Sequence, residues 1–198
     1  MARHRRKFQR RAVERSYRKM YVLATEGTKT EPLYFNLFNS ENTIIHVKCL
    51  KHGSGSDPAK ILKVLKKHIK DEGLQVGDEA WVIVDRDKWT DGQLNNLHQW
   101  SQSAKNYGLA VSNPKFEYWL LLHFEDGSGI TSPRTCSDRL RRHLPRYTKN
   151  NIGINKLQPG IPDAIRRAKQ KDTPRCQKWP QSVGTTVYRL VEKLHPAN

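Results

Sequence analysis

Long apolar runs are missing from this chain. No stretch approaches the roughly 18 residues a membrane span needs, so an integral membrane protein is excluded. The N-terminus MARHRRKFQRR is charged but has no apolar segment behind it, which argues against a secretory signal. Cysteine is scarce: Cys49, Cys136 and Cys176 are odd in number, far apart and without a CxxC pair. That pattern argues against a disulfide framework and a zinc ribbon, and makes a reducing cytoplasm the expected location. The histidines form no HExxH. Phosphate-binding signatures are lacking as well. Gly27-Thr28-Lys29-Thr30 has no first glycine of a P-loop, and Gly53-Ser54-Gly55 has no third glycine of a dinucleotide fingerprint. There is no G-x-S-x-G elbow. With no paired base evident, Cys49 and Cys136 read as core or surface thiols, not nucleophiles.

Acidic charge is the last shortage, at 19 Asp+Glu against 36 Lys+Arg in 198 residues, a formal charge of +17. The excess is segregated. Residues 1–20 carry 9 basic and 1 acidic side chains, residues 21–130 carry 12 and 14, and residues 131–198 carry 15 and 4. A slightly acidic middle thus lies between two basic ends. So large an excess of one sign implies a polyanionic partner, and nucleic acid fits best because each neutralised phosphate releases counterions. An acidic membrane is a poorer partner, since no segment carries an insertable amphipathic face.

The middle alternates between strand and helix. Apolar runs predict strands at 21–24, about 43–50, 80–84 and 107–111. Between them, helices are expected after Thr30 with Pro32 in the first turn, after the Asp57-Pro58 cap, from about Asp91 to Asn106, and from Lys115 to about Phe124. The lysines Lys60, Lys63, Lys67 and Lys70 lie opposite Leu62, Leu65 and Ile69, as the solvent face of an amphipathic helix or a phosphate track. The order gives an α/β fold with a roughly four-stranded, mainly parallel sheet. After Gly127-Ser128-Gly129 no strand is expected; 134–143, 161–171 and 183–194 read as helices. The organisation is therefore a basic arm at 1–19, a core at 20–130, and a basic helical extension at 131–198 packed on the core.

A parallel sheet gathers its strand C-termini along one edge, where open α/β folds bind ligands. Glu26 follows the first strand, Asp85 and Asp87 the third, and Ser112-Asn113 the fourth; Gly27, after Glu26, permits a positive φ and a sharp turn into the following helix. Asp85 and Asp87 stand two apart on an extended segment, so both can point the same way. Carboxylates from two strand ends suit Mg²⁺ bound together with a phosphate, and a cation relieves their mutual repulsion. Glu117, in the first turn of the helix after Pro114, suits the helix dipole or positions metal or water. Lys115 faces solvent or steadies a phosphate or leaving oxygen. Arg5, Arg6, Lys7, Arg10 and Arg11 in the arm, and Arg139, Arg141, Arg142 and Arg146 beyond the sheet, are the expected nucleic-acid contacts.

Three blocks carry a family resemblance: Glu26-Gly27-Thr28-Lys29-Thr30-Glu31-Pro32-Leu33-Tyr34-Phe35, Val84-Asp85-Arg86-Asp87, and Asn113-Pro114-Lys115-Phe116-Glu117-Tyr118-Trp119-Leu120-Leu121-Leu122-His123-Phe124. Together they resemble the RloB-like proteins of bacterial phage defence over residues 20–195. The first glutamate and the D-x-D look like the metal-binding signature of the Toprim fold. By that resemblance Glu26, Asp85 and Asp87 hold Mg²⁺ or Mn²⁺. Glu31 looks like the second glutamate of OLD-type nucleases, five positions on from the first where four is usual. The resemblance implies a nuclease effector acting on RNA, tRNA among the candidates, or on DNA, beside an AAA-type ATPase partner. Self-association as a homo-oligomer stays open. Two other classes remain in play. One is a non-catalytic nucleic-acid-binding subunit of an ATPase-containing complex. The other is a nucleotide-sugar transferase, which also uses D-x-D, although the basic flanks and the partnership with Glu26 count against it.

Overall fold

The first strand, β1 (Lys19–Thr25), is buried on both sides. Tyr21 and Leu23 enter one apolar cluster, Val22 and Ala24 another. That is the pattern of a parallel sheet covered by helices on two faces, and it explains the continuous apolar run. The computed structural model of the protein describes residues 18–39, 44–51, 57–87 and 89–196. The arm residues Arg5, Arg6, Lys7, Arg10 and Arg11, and the Gly53-Ser54-Gly55 loop, lie outside the described residues.

After β1 the chain runs through α1 (Thr30–Phe35), β2 (Ile45–Cys49), α2 (Pro58–Glu72), β3 (Glu79–Asp85), α3 (Asp91–Gln102), β4 (Tyr107–Asn113) and α4 (Phe116–Leu121). It continues through α5 (Pro133–His143), α6 (Ile154–Leu157), α7 (Ile161–Lys171), β5 (Gly184–Thr185) and α8 (Tyr188–Leu194). The sheet order is β2-β1-β3-β4-β5. The first four strands are parallel, and β5 runs antiparallel to β4. One face packs Ile61, Leu62 and Leu65 of α2 with Leu94, Leu97 and Trp100 of α3. The other carries α1 and the helices from α4 onward.

Local chemistry fixes the helix starts. The Asp57 carboxylate accepts from the Ala59 amide at 2.8 Å, with Pro58 opening α2. Thr90 and Gln93 form a capping box on α3, and Ser132 with Thr135 cap α5. Lys60, Lys63, Lys67 and Lys70 are all exposed, the solvent face of α2.

The expected α/β class and mainly parallel sheet are present, with a fifth strand in addition. The four-strand expectation is corrected by β5, which comes from the basic extension. The segment 183–194 is therefore not one helix. Gly184 and Thr185 pair with β4, and α8 begins only at Tyr188. The spacing of Val183, Val187, Leu190, Val191 and Leu194 mimics a helical stripe, but Thr185 and Thr186 serve the sheet edge. Thr186 Oγ1 accepts from the Val111 amide at 2.9 Å, and the Ser112 and Thr185 hydroxyls bond at 2.9 Å. Satisfying the β4 edge this way outweighs continuing the helix. The fourth-strand helix also ends earlier than expected, at Leu121.

One feature of the topology positions the site. From β1 the chain places β2 on one side and β3 on the other. The strand order reverses between β1 and β3, and open α/β sheets bind ligands in the crevice at such a switch point, beyond the carboxyl ends of the strands.

Candidate functional site

Glu26 leaves the end of β1 and Asp85 is the last residue of β3, so both stand at that switch point. Glu26 is buried, and its Oε2 accepts from the Asp85 amide at 3.0 Å and from the Trp89 indole Nε1 at 2.8 Å. The indole therefore helps fix the carboxylate at the crevice. Asp87 lies beyond the strand end in an exposed turn, where its amide donates to the Pro114 carbonyl at 3.2 Å. The two aspartates thus differ in setting, because β3 stops between them and the chain curls toward β4.

Glu31 lies in the first turn of α1 and is buried. Its Oε1 accepts from the Gly27 amide at 2.8 Å. A Cβ at position 27 would lie 2.0 Å from Glu31 Oε2, so a side chain there would have to push the Glu31 carboxylate aside. The expected reason for Gly27, a positive φ, is not the operative one, since Gly27 is absent from the glycines with positive φ. The requirement is room for the Glu31 carboxylate.

Glu117 opens α4 as expected and accepts at Oε1 from the Tyr147 hydroxyl at 3.0 Å. Lys115 caps the same helix by position, and its Nζ donates to Ser137 Oγ at 2.7 Å on α5. Burial pushes the Asp85 carboxyl well above the usual carboxylate range, and the charges of Glu26, Glu31, Glu117 and Asp87 push it further. Glu31 is raised for the same reasons, burial first, then Glu117 and Glu26. Five carboxylates from β1, α1, β3 and α4 therefore act on one another at the switch point. Burial pushes the Cys136 thiol up to about 12, and Glu117 adds to it, so this cysteine is an inert neighbour. Cys49 is likewise raised to about 12 by burial.

The donor set is carboxylate oxygen, the chemistry that Mg²⁺ and Mn²⁺ prefer. Among the described residues no three His, Cys, Asp or Glu side chains already converge as a ligand group. Glu26 and Glu31 are instead each held by amide or indole donors. The residues fit a divalent ion by type and by mutual repulsion.

The family model for RloB-like protein matches residues 21–194. The chain belongs to the RloB-like family. No curated protein and no solved structure matches it. The match spans all three blocks that carry Glu26, Glu31, Asp85, Asp87, Lys115 and Glu117.

The basic residues beyond the RloB-like sheet divide into two groups. Arg139 is turned inward, ion-paired to Glu125 and bonded to the Ser128 carbonyl. Arg141, Arg142 and Arg146 are exposed, Arg141 with a loose 3.6 Å pair to Asp138. Two site residues had no flag in the sequence. Trp89 is four residues beyond Asp85, close enough that the D-x-D could have pointed to it. Tyr147 is 30 residues from Glu117, and nothing local announces it. Among the described residues no helix is long and apolar enough to cross a membrane.

Proposed function

We propose that this RloB-like protein is a divalent-metal-dependent nuclease that hydrolyses phosphodiester bonds of RNA or DNA, as an effector of antiphage defence working with an ATPase partner. The observation that carries the proposal is the gathering of Glu26, Glu31, Asp85, Asp87 and Glu117 at the topological switch point, in a chain whose sequence is strongly basic before and after that core. A carboxylate cluster would repel a phosphodiester unless a cation stood between them. In this reading Glu26, Asp85 and Asp87 hold Mg²⁺ or Mn²⁺, which supplies Lewis acidity toward a phosphoryl oxygen and the attacking water. The Asp85 amide and the Trp89 indole fix the Glu26 carboxylate. Gly27 fixes Glu31, and Tyr147 fixes Glu117, so both can orient water or accept its proton. Lys115, steadied by Ser137, is placed to meet developing negative charge on the leaving oxygen. Exposed arginines on α5 and after it hold the strand.

The deciding experiment incubates the purified full chain with total tRNA, mRNA and plasmid, with Mg²⁺, with Mn²⁺, and with EDTA. Metal-dependent cleavage that disappears in Asp85→Ala supports the proposal; no cleavage of any substrate under either metal overturns it. The lack of a converged ligand group among the described residues favours one second reading, a non-catalytic nucleic-acid-binding subunit of an ATPase-containing complex. That subunit would bind the same nucleic acids and gain no melting temperature from Mn²⁺.

A further inference from the structure

A cavity of about 550 Å³ is lined by the loop that joins α5 to α6, by the start of α6 and by Leu33 of α1. Its size lies in the range of about 300–1,000 Å³ typical of small-ligand sites. Leu144 and Ile152 wall it, and so does Tyr147, whose hydroxyl donates to Glu117. Three asparagines, Asn150, Asn151 and Asn155, line it too, with Arg146 and Lys156. Leu144 and Ile152 are buried, while Arg146, Asn155 and Lys156 are exposed. The cavity thus combines apolar residues, one aromatic residue, three side-chain amides with both donors and acceptors, and two cations at the surface.

We propose that this cavity takes one unpaired nucleobase of a nucleic-acid strand whose backbone passes the carboxylate cluster. The inference rests on the nuclease reading and narrows its substrate to strands with an unpaired nucleotide at the cleavage point. A flat heteroaromatic ring suits an apolar cavity lined by a tyrosine, because stacking is available to every base. An asparagine amide pairs with base edges, which offer donors and acceptors side by side. Arg146 and Lys156 meet the phosphates on either side of that base. An apolar peptide side chain would use the apolar residues but leave the amides and both cations without purpose. Tyr147 ties the two sites together: it lines the base pocket, and its hydroxyl donates to Glu117. A base seated against Tyr147 therefore brings its own phosphodiester toward the acidic edge. A duplex keeps its bases stacked and cannot fill the cavity without flipping one out.

The test separates binding from cleavage by using the full-length Asp85→Asn protein in EDTA. Fluorescence anisotropy compares a twelve-nucleotide single strand, in RNA and in DNA, with its duplex and with an abasic strand of equal charge. The single strand should bind about tenfold more tightly than the abasic strand, the effect of one stacked base. A strand carrying 5-iodouracil should photo-crosslink to Tyr147, read by peptide mass spectrometry. Asn155→Met, which replaces a lining amide with a longer apolar side chain, should remove the base-dependent advantage and leave duplex binding unchanged. Equal affinity for base-bearing and abasic strands overturns the pocket, and so do crosslinks confined to other residues. If Asn155→Met does not fold, the abasic comparison and the crosslink decide in the parent protein. Failure of every strand to bind would instead defeat the nucleic-acid reading itself. Loss of the base preference with binding intact leaves that reading standing.

Discussion

The backbone amide of Gly27 donates to the carboxylate of Glu31 at 2.8 Å, and the same carboxylate occupies the space a Cβ at position 27 would need. The Glu-Gly pair after β1 and the glutamate five residues later are therefore one device. The turn needs a residue without a side chain because the second glutamate folds back onto it. Gly27→Ala should cost about 1–3 kcal/mol of stability and displace Glu31 from the crevice. In a Glu31→Ala background the same alanine should cost much less. Denaturant midpoints of the four proteins in this double-mutant cycle give the coupling; additive effects would show that the contact does not constrain position 27.

The carboxylate cluster predicts a metal response that needs no activity assay. Asp85 is pressed by burial and by four acidic neighbours, so Asp85→Asn removes repulsion while keeping the shape of the side chain. Without metal the variant should melt higher than the parent, by about 2–4 °C for each kcal/mol relieved. Adding Mg²⁺ or Mn²⁺ should raise the melting temperature of the parent and leave the variant unmoved. Nuclease activity should disappear with it. A parent protein whose melting temperature ignores both ions would remove the metal from the proposal.

His123 sets a pH limit on the fold. Buried in α4's exit turn, it lies 3.0 Å from the Trp119 carbonyl through Nδ1 and 3.1 Å from the Tyr34 hydroxyl through Nε2. Nδ1 must be the donor to that carbonyl, so Nε2 accepts from Tyr34 and the ring stays neutral. Burial lowers its pKa to about 4, with Arg167 adding to the effect. The unfolded chain takes up this proton near pH 6.5. The contribution is thus complete above about pH 6.5 and is lost as pH falls toward 4. Between pH 7 and pH 5 it amounts to about 2 kcal/mol. Asp85 and Glu31, whose carboxyls are raised, gain stability in the same direction of titration, so the informative quantity is a difference. His123→Phe should start less stable at pH 7, since it leaves the Tyr34 hydroxyl and the Trp119 carbonyl unpaired, and should lose about 2 kcal/mol less than the parent on acidification. Parallel urea curves for the two proteins would assign the acid sensitivity elsewhere.

What could be read from the sequence was local. Glu26, Asp85 and Glu117 each follow or open a regular element, and strand ends in a parallel sheet share one edge, so their meeting followed from the fold class alone. Partnerships closed by distant segments left no local trace. Tyr147 reaches Glu117 across 30 residues, Tyr34 reaches His123 across 89, and β5 returns from the basic extension to pair with β4. The strand at Gly184–Thr185 is also too short for periodicity to register, and its flanking valines imitate a helix. The positive φ that the sequence suggests for Gly27 is not what the fold uses, because sequence reports the absence of a side chain and only the fold reports what fills the space.

The arginines on and after α5 make the last test, because the structure divides a set that the sequence treats alike. Arg141, Arg142 and Arg146 are exposed, whereas Arg139 is held between Glu125 and the Ser128 carbonyl. Exposed arginines that neutralise phosphates release counterions, and each such contact adds about 0.7–0.9 to the slope of log affinity against log salt. Replacing Arg141, Arg142 and Arg146 by alanine should therefore lower that slope by about 2–3 units and weaken binding at low salt most. Arg139→Ala should leave the slope unchanged and lower the melting temperature instead, since Glu125 would lose its inward partner. Anisotropy titrations of a single-stranded oligonucleotide at several salt concentrations measure the first effect, and thermal melting measures the second. If Arg139→Ala reduces the slope as much as any exposed arginine does, its pair with Glu125 opens in the complex, and all four arginines grip the strand. If the triple variant keeps the full slope, the electrostatic grip lies elsewhere on the chain, and the exposed face of α5 serves another partner.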